Sequence, residues 1–241
     1  MDQTAWVKES ESLPELLFAT AAKTPNHIAI TISDTRIPYA ALATRVRMLA
    51  QGFFEQGIRP GDSVALLLPN TPVYVMATYA LLQIGAVVLN VSPASQGSEL
   101  LHILTQSQAV AIVTLDVFLP GLYRVLDKSP IKRLFLSSLQ GLEQKIPPPP
   151  GTPPPILIDT LFRPPQLDTA QIRPVADDLA VVQFTSGSTG TPKGVLLTHR
   201  NILASVRQSS VWMNAPETPN AGVLCVIPFF HVFGMTIGLH L

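Results

Sequence analysis

An α/β fold, a doubly wound parallel sheet with helices on both faces, is what this sequence predicts, and three features predict it. Strand-like and helix-like runs alternate between residues 63 and 139. The strand-like runs are continuously apolar instead of alternating, which is the pattern of strands buried on both faces. The stretches between them are long enough for helices, and right-handed crossovers then wind such a sheet in both directions.

Element by element, Ser12-Leu13-Pro14-Glu15 reads as a capping box with proline in the first turn. Leu13, Leu16 and Leu17 give the helix that follows an apolar face until Pro25 ends it. Residues 28–32 form a short strand. From Tyr39, the apolar positions Leu42, Val46, Leu49 and Phe53 recur at helical spacing, and Gly57 stands where a C-cap glycine belongs. Arg59-Pro60-Gly61-Asp62 is a turn by composition. The alternation follows: strand 64–68, helix 72–83, strand 86–90, helix 98–106, strand 109–113, a helix through 122–126, strand 133–136. Residues 140–174 change character, because Pro147 to Pro150 and Pro153 to Pro155 make a stiff, polyproline-like surface excursion. A linker is the preferred reading over an SH3 or WW ligand, since no Pro-x-x-Pro with a flanking basic residue stands out. Strands at 180–184 and 195–198 and a helix at 201–212 complete the pass.

The 241 residues are 47% hydrophobic, enough for one large core or two modest ones. Sixteen Lys+Arg balance sixteen Asp+Glu, which removes the electrostatic footprint of a nucleic-acid binder. The only cysteine, Cys225, lies in an apolar run and reads as a small buried hydrophobe, so no disulfide can form within the chain. Met1-Asp2-Gln3-Thr4 has neither a basic nor an apolar leader region, and cytoplasmic residence is the default expectation. Two uncharged stretches, 73–93 and 221–241, have the length of a membrane span. Gln83, Gly85 and Asn90 punctuate the first and Pro228, His231 and Gly234 the second, so both read as shorter soluble elements.

The chemistry concentrates in Thr185-Ser186-Gly187-Ser188-Thr189-Gly190-Thr191-Pro192-Lys193-Gly194. Glycines let backbone N–H groups turn inward as an anion-binding nest, hydroxyls add donors without bulk, and Lys193 supplies a mobile positive charge. A Walker P-loop is excluded: begun at Gly187, that pattern puts Pro192 where glycine is required and Gly194 where the Ser or Thr belongs, and strand-like residues follow. Composition alone leaves two readings open, a polyphosphate cradle and a plain Gly/Ser/Thr loop.

Thr-Ser-Gly-Ser-Thr-Gly-x-Pro-Lys-Gly resembles the phosphate-binding signature of the adenylate-forming (AMP-binding) enzymes, which include acyl- and aryl-CoA synthetases, luciferases and peptide-synthetase adenylation domains. The likeness extends to Arg59-Pro60-Gly61-Asp62, to Leu68-Pro69-Asn70 and to Gly85-Ala86-Val87-Val88-Leu89-Asn90, in the family's order, and covers the chain from about Leu13 onward. Pro228-Phe229-Phe230-His231-Val232-Phe233-Gly234 resembles a segment of the acyl-CoA synthetase and luciferase branch. There the histidine and its aromatic neighbours border the acid site. The bare residues also allow a loop histidine with no ligand.

The resemblance implies a two-step reaction: a carboxylic acid, with fatty acids ahead of aryl acids, attacks the α-phosphate of ATP to give an acyl-adenylate, and CoA then takes the acyl group. It implies ATP, Mg²⁺ and CoA as participants. Thr185, Ser186, Gly187, Ser188, Thr189, Gly190, Thr191, Pro192 and Lys193 would hold the β- and γ-phosphates. His231, Phe230 and Gly234 would lie at the acid. His199 receives no catalytic role and is expected to cap or orient the helix after it. His27, His102 and His240 form no metal-ligand spacing with one another or with Cys225.

The chain then divides into early helices and short strands (13–62), the βαβ series (63–139), the Pro-rich linker (140–176) and the phosphate-loop and acid-site segment (177–241), together an incomplete amino-terminal domain. After Asp178 the only acidic residue is Glu217, and no lysine follows Lys193. The family's metal-binding glutamate, ribose-holding aspartate and adenylating lysine therefore have no counterpart, nor does its carboxy-terminal domain. The expectation is a chain inactive by itself. A ligase with a non-CoA acceptor and a non-catalytic or partner-completed half are the alternatives. Bare apolar faces on the helix from Tyr39 and on residues 223–241 lead to an expectation of self-association.

Overall fold

A computed structural model of the chain describes residues 7–8, 11–138, 147–167, 172–185, 192–213 and 222–241. The elements in order are α1 (Leu13–Lys23), β1 (Ile28–Ile32), β2 (Thr35–Pro38), α2 (Tyr39–Glu55), β3 (Ser63–Leu67), α3 (Pro72–Gln83), β4 (Val87–Asn90), α4 (Gly97–Gln106), β5 (Ala111–Leu115), α5 (Leu119–Leu126), β6 (Arg133–Ser137), β7 (Pro155–Leu157), β8 (Leu179–Thr185), β9 (Lys193–Thr198) and α6 (His199–Trp212). Strands β1 and β2 form an antiparallel hairpin, and the other seven form one sheet in the order β7-β6-β5-β3-β4-β8-β9. All neighbours in it run parallel except β9, which returns antiparallel along β8. The expected parallel sheet is thus a mixed one, because the connection from β8 to β9 is a hairpin instead of a crossover.

Side chains alternate across this sheet into two cores. Val64, Leu66, Val88, Val113 and Phe135 point to one face, where they meet α1, α2, α3 and α6. Ala65, Leu67, Leu89, Ile112 and Leu134 point to the other, under α4 and α5. Continuous apolar runs are what a strand covered on both sides requires. Helix α3 lies between the sheet and the pair α1 and α2 and is buried from Tyr74 to Gln83 on every side. That position accounts for its uncharged, span-like sequence, and no helix among the described residues is long and apolar enough to cross a membrane.

Helix α2 ends as its glycine predicts. Gly57 takes φ +82°, its N–H bonds to the Phe54 carbonyl at 2.9 Å, and the Ile58 N–H reaches the Phe53 carbonyl at 3.0 Å, a Schellman closure. The expectation that the apolar face of α2 lies bare is overturned. Leu42, Val46, Leu49 and Phe53 are buried, and the Phe53 ring packs edge-on against Phe135 at 5.0 Å.

Two further expectations need correction. The Ser12–Glu15 capping box does not form: Ser12 Oγ is buried without a hydrogen-bond partner, and Glu15 pairs with Arg173. The Leu13 N–H instead donates to His199 Nδ1 at 3.2 Å, so a tertiary contact replaces the local cap. The Pro-rich segment is more than a surface linker. Pro155–Leu157 adds β7 to the sheet edge, where proline is tolerated, and Ile158 and Leu161 are buried against α2. A side chain at Gly52 would meet the Leu161 carbonyl oxygen at 2.0 Å, so only glycine allows this approach. Gln51 Oε1 accepts from the Gln166 and Leu167 N–H groups, each at 2.9 Å. Cys225 is only partly buried, in an irregular stretch whose Val223, Leu224 and Val226 face solvent.

Candidate functional site

Strand β3 leads into α3 on one face of the sheet, and β4 leads into α4 on the other. The carboxyl ends of β3 and β4 therefore lie where the winding changes direction, the place at which open α/β sheets form a crevice. Strand β8 runs parallel to β4 beside it and ends at the same edge with Thr185. A cleft of about 580 Å³ opens there. Thr185 and Pro192 border it on one side and Phe230 and His231 on another, with Asn90, Ser92 and Gln183 on the β4–β8 side and Glu99 and His102 of α4 opposite.

The phosphate-loop candidates divide as follows. Thr185 pairs with Lys193 across the β8–β9 hairpin, so these two residues bracket the connection between them. Both are exposed. Ser186, Gly187, Ser188, Thr189, Gly190 and Thr191 lie outside the described residues. Among the described residues no acid pairs with Lys193. The strand that follows Lys193 agrees with the exclusion of a Walker loop, which leads into a helix. Gly194 lies in the hairpin where an added Cβ would come within 3.1 Å of Val182 and 3.3 Å of the Phe184 ring.

The acid-side candidates separate by what they touch. Phe230 and His231 line the cleft, whereas Gly234 does not. A Cβ on Gly234 would fall 2.2 Å from the Pro228 carbonyl oxygen, so its role in the described structure is to let the helical turn at Gly234–Leu239 close onto residues 227–228. His231 is exposed, and its Nδ1 accepts from the Phe233 N–H at 3.3 Å, which leaves Nε2 as the donor of the neutral ring.

Sequence reasoning passed over several polar groups of this region. His102 Nε2 donates to the Pro192 carbonyl at 3.1 Å, tying α4 to the residue before Lys193. Asn90, 3% exposed, accepts from Tyr74 OH at 2.6 Å and donates to Gln183 Oε1 at 3.1 Å. Gln183 Nε2 donates to the Phe230 carbonyl at 3.0 Å. Asn70 holds the same segment from the β3 side: its Nδ2 donates to the Cys225 and Ile227 carbonyls, each at 3.0 Å, and its Oδ1 accepts from the Phe229 N–H at 2.7 Å. The readable signal was a polar residue ending a buried apolar strand, as Asn90 ends β4.

The described residues do not by themselves make a magnesium site. No group of three or more His, Cys, Asp and Glu side chains gathers among them. Glu99 is the one carboxylate on the cleft's described lining and already accepts from Ser95 Oγ at 2.9 Å. A hard divalent cation needs several oxygen ligands.

His199 is 1% exposed at the start of α6. Burial lowers its pKa to about 4, with Asp178 opposing the shift. Helix α6 is capped by Thr198 and Asn201 in a reciprocal capping box, so His199 fastens α1 instead of capping its own helix.

Known proteins share this architecture and sequence. A long-chain-fatty-acid–CoA ligase of Bacillus subtilis is 30% identical over 94% of this chain and 43% of its own length. A 4-coumarate–CoA ligase of Nicotiana tabacum is 28% identical over 82% of this chain and 34% of its own. The chain thus spans less than half the length of the curated relatives it matches. The crystal structure of a long-chain-fatty-acid–CoA ligase from Archaeoglobus fulgidus superposes with a TM-score of 0.73 at 23% identity, over 94% of this chain and 44% of that one, a likeness of fold. With the AMP-binding enzyme model matched over residues 17–241, the chain belongs to the AMP-binding enzyme family.

Proposed function

We propose that this chain supplies the phosphate-loop and acid-side part of an enzyme that activates a carboxylic acid with ATP to an acyl-adenylate and then forms the thioester with CoA. The observation that carries the reading is a shared cleft. Thr185 and Pro192, on either side of the β8–β9 connection, border the same cavity that Phe230 and His231 wall. A polyphosphate held at the hairpin would have its acid partner within one cavity, so rate would come from orientation and from charge stabilisation at the phosphates. Neither step needs a protein nucleophile. Lys193 would contribute a charge-assisted contact to the β- or γ-phosphate, Thr185 to Thr191 would add backbone and hydroxyl donors, and His231 would lie beside the acid. Mg²⁺ would neutralise phosphate charge through ligands other than the described residues.

A fatty acid is the favoured substrate, since relatives named for long-chain fatty acids match over 94% of the chain and one named for 4-coumarate over 82%. The activity is ascribed to the complete gene product. The 241 residues by themselves are expected to release no acid-dependent pyrophosphate, because the cleft's described lining offers the single carboxylate Glu99 and no cluster that could hold Mg²⁺.

The test is Lys193→Ala in the complete gene product. Losing one charge-assisted phosphate contact costs about 1.5–3 kcal/mol, a tenfold to hundredfold fall in kcat/KM for ATP measured by pyrophosphate release. An unchanged value would show that Lys193 meets no phosphate. A panel of long-chain and aryl acids in the same assay checks the substrate class, and preference for an aryl acid would overturn the fatty-acid reading.

A further inference from the structure

The segment that carries Phe230 and His231 has no ladder of its own. Residues 222–230 form neither strand nor helix. They are held by side-chain amides reaching from the carboxyl ends of β3 and β8. One set of these bonds has a fixed direction. The Phe230 carbonyl at one end can only accept, and at the other end Tyr74 OH donates to Asn90 Oδ1 at 2.6 Å. The Asn90 amide is then oriented with its nitrogen toward Gln183 Oε1 at 3.1 Å. That contact in turn points the Gln183 nitrogen at the Phe230 carbonyl, 3.0 Å away, which can only accept.

We propose that Asn90 and Gln183 are positioning residues, which set the place of the Phe230–His231 wall of the cleft through the one-way chain Tyr74 to Asn90 to Gln183 to the Phe230 carbonyl. The link from this wall to the acid substrate rests on the function proposed above. The chain itself does not. Direction is what separates this from ordinary packing. Gln183→Glu is nearly isosteric and still accepts from Asn90, yet it turns an oxygen toward the Phe230 carbonyl oxygen. Asn90→Asp puts an oxygen opposite Gln183 Oε1, so the Gln183 amide must turn over, and the loss again emerges at Phe230. Asn90 acts on the Phe230 carbonyl through Gln183, and its Nδ2 also makes a weak contact with Met235 Sδ at 3.5 Å, in the turn that follows His231.

Hydrogen–deuterium exchange in the 241-residue chain tests this directly. The peptide 228–236 contains the His231 N–H bonded to the Pro228 carbonyl and the Met235 N–H bonded to the His231 carbonyl. Gln183→Glu and Asn90→Asp should each speed its exchange about tenfold, the loss of one net hydrogen bond. Peptides over β3 and β5 should be unchanged. Gln183→Met removes the donor without adding charge and carries the same expectation should Gln183→Glu fail to fold. Adding Asn90→Asp to Gln183→Met should speed exchange by much less than Asn90→Asp does alone, the remainder coming from its weak contact with Met235 Sδ. Additive effects in that double variant, or unchanged exchange in the single ones, would overturn the chain.

In the complete gene product the same variants should raise KM for the acid about tenfold while KM for ATP stays within twofold. Equal rises in both would overturn a positioning role on the acid side. Faster exchange with an unaltered acid KM would keep the hydrogen-bond chain and refute the acid reading of this wall. Absence of any acid-dependent pyrophosphate release in the wild type would refute the proposed function and leave the exchange result as the judge of the chain.

Discussion

His199 makes the stability of this chain pH-dependent in a calculable way. It is buried at the junction of α1 and α6, where Nδ1 accepts from the Leu13 N–H, and its pKa is about 4 against an ordinary 6.5. The unfolded chain binds a proton at about 6.5 and the folded chain does so only near 4. Between these values the unfolded state carries more protons, so stability is fully present above 6.5 and is lost as pH falls through 4. Between pH 7 and pH 5 the histidine removes about 2 kcal/mol. His240, buried against Tyr79 with its pKa lowered to about 3, acts in the same direction. The informative quantity is therefore a difference between two proteins. His199→Asn offers an amide oxygen near the Nδ1 position and has no titration, so urea unfolding followed by circular dichroism should show a pH 7-to-5 loss about 2 kcal/mol smaller in the variant. Equal losses would refute the argument and show that His199 is protonated alike in both states.

Gly234→Ala should destabilise the chain by about 1–3 kcal/mol, because its methyl would fall 2.2 Å from the Pro228 carbonyl oxygen and force residues 227–228 away; unchanged urea unfolding would show that the turn yields freely. Trp212 is 88% exposed, Leu224 86% and Val226 79%, and such surface favours association. The 241-residue chain is expected to self-associate at micromolar concentration, with Trp212→Ser and Leu224→Ser reducing it; a monodisperse monomer by light scattering would refute this.

The parts of the fold that could be read from sequence are those whose residues answer to their immediate surroundings. β3 to β6 are apolar runs bounded by turn residues, and α3 carries proline in its first turn after Thr71, whose hydroxyl accepts from the Tyr74 N–H. β2 and β7 could not be read. Thr35–Pro38 and Pro155–Leu157 are poor strands by composition, and each exists through its pairing, β2 with β1 in a hairpin and β7 with β6 at the sheet edge. The Ser12–Glu15 pattern misled because the partner that won is 186 residues from Leu13.

The candidate site divides along the same line. The proposed phosphate loop is contiguous in sequence, and the chemistry proposed for it can be read in ten residues. Asn70, Asn90 and Gln183 are single amides whose partners lie 155, 93 and 47 residues away, so nothing local distinguishes them from solvated polar residues. One physical rule would still have raised Asn90 and Gln183. A strand buried on both faces excludes polar side chains along its length, so a polar residue at its carboxyl end marks the sheet edge at which an open α/β fold leaves room for a ligand. Asn90 closes the run Val87, Val88 and Leu89, and Gln183 closes the run Leu179 to Val182. Both border the cleft that Phe230 and His231 wall. The point at which apolarity stops in each strand therefore carries positional information that the strand's interior does not.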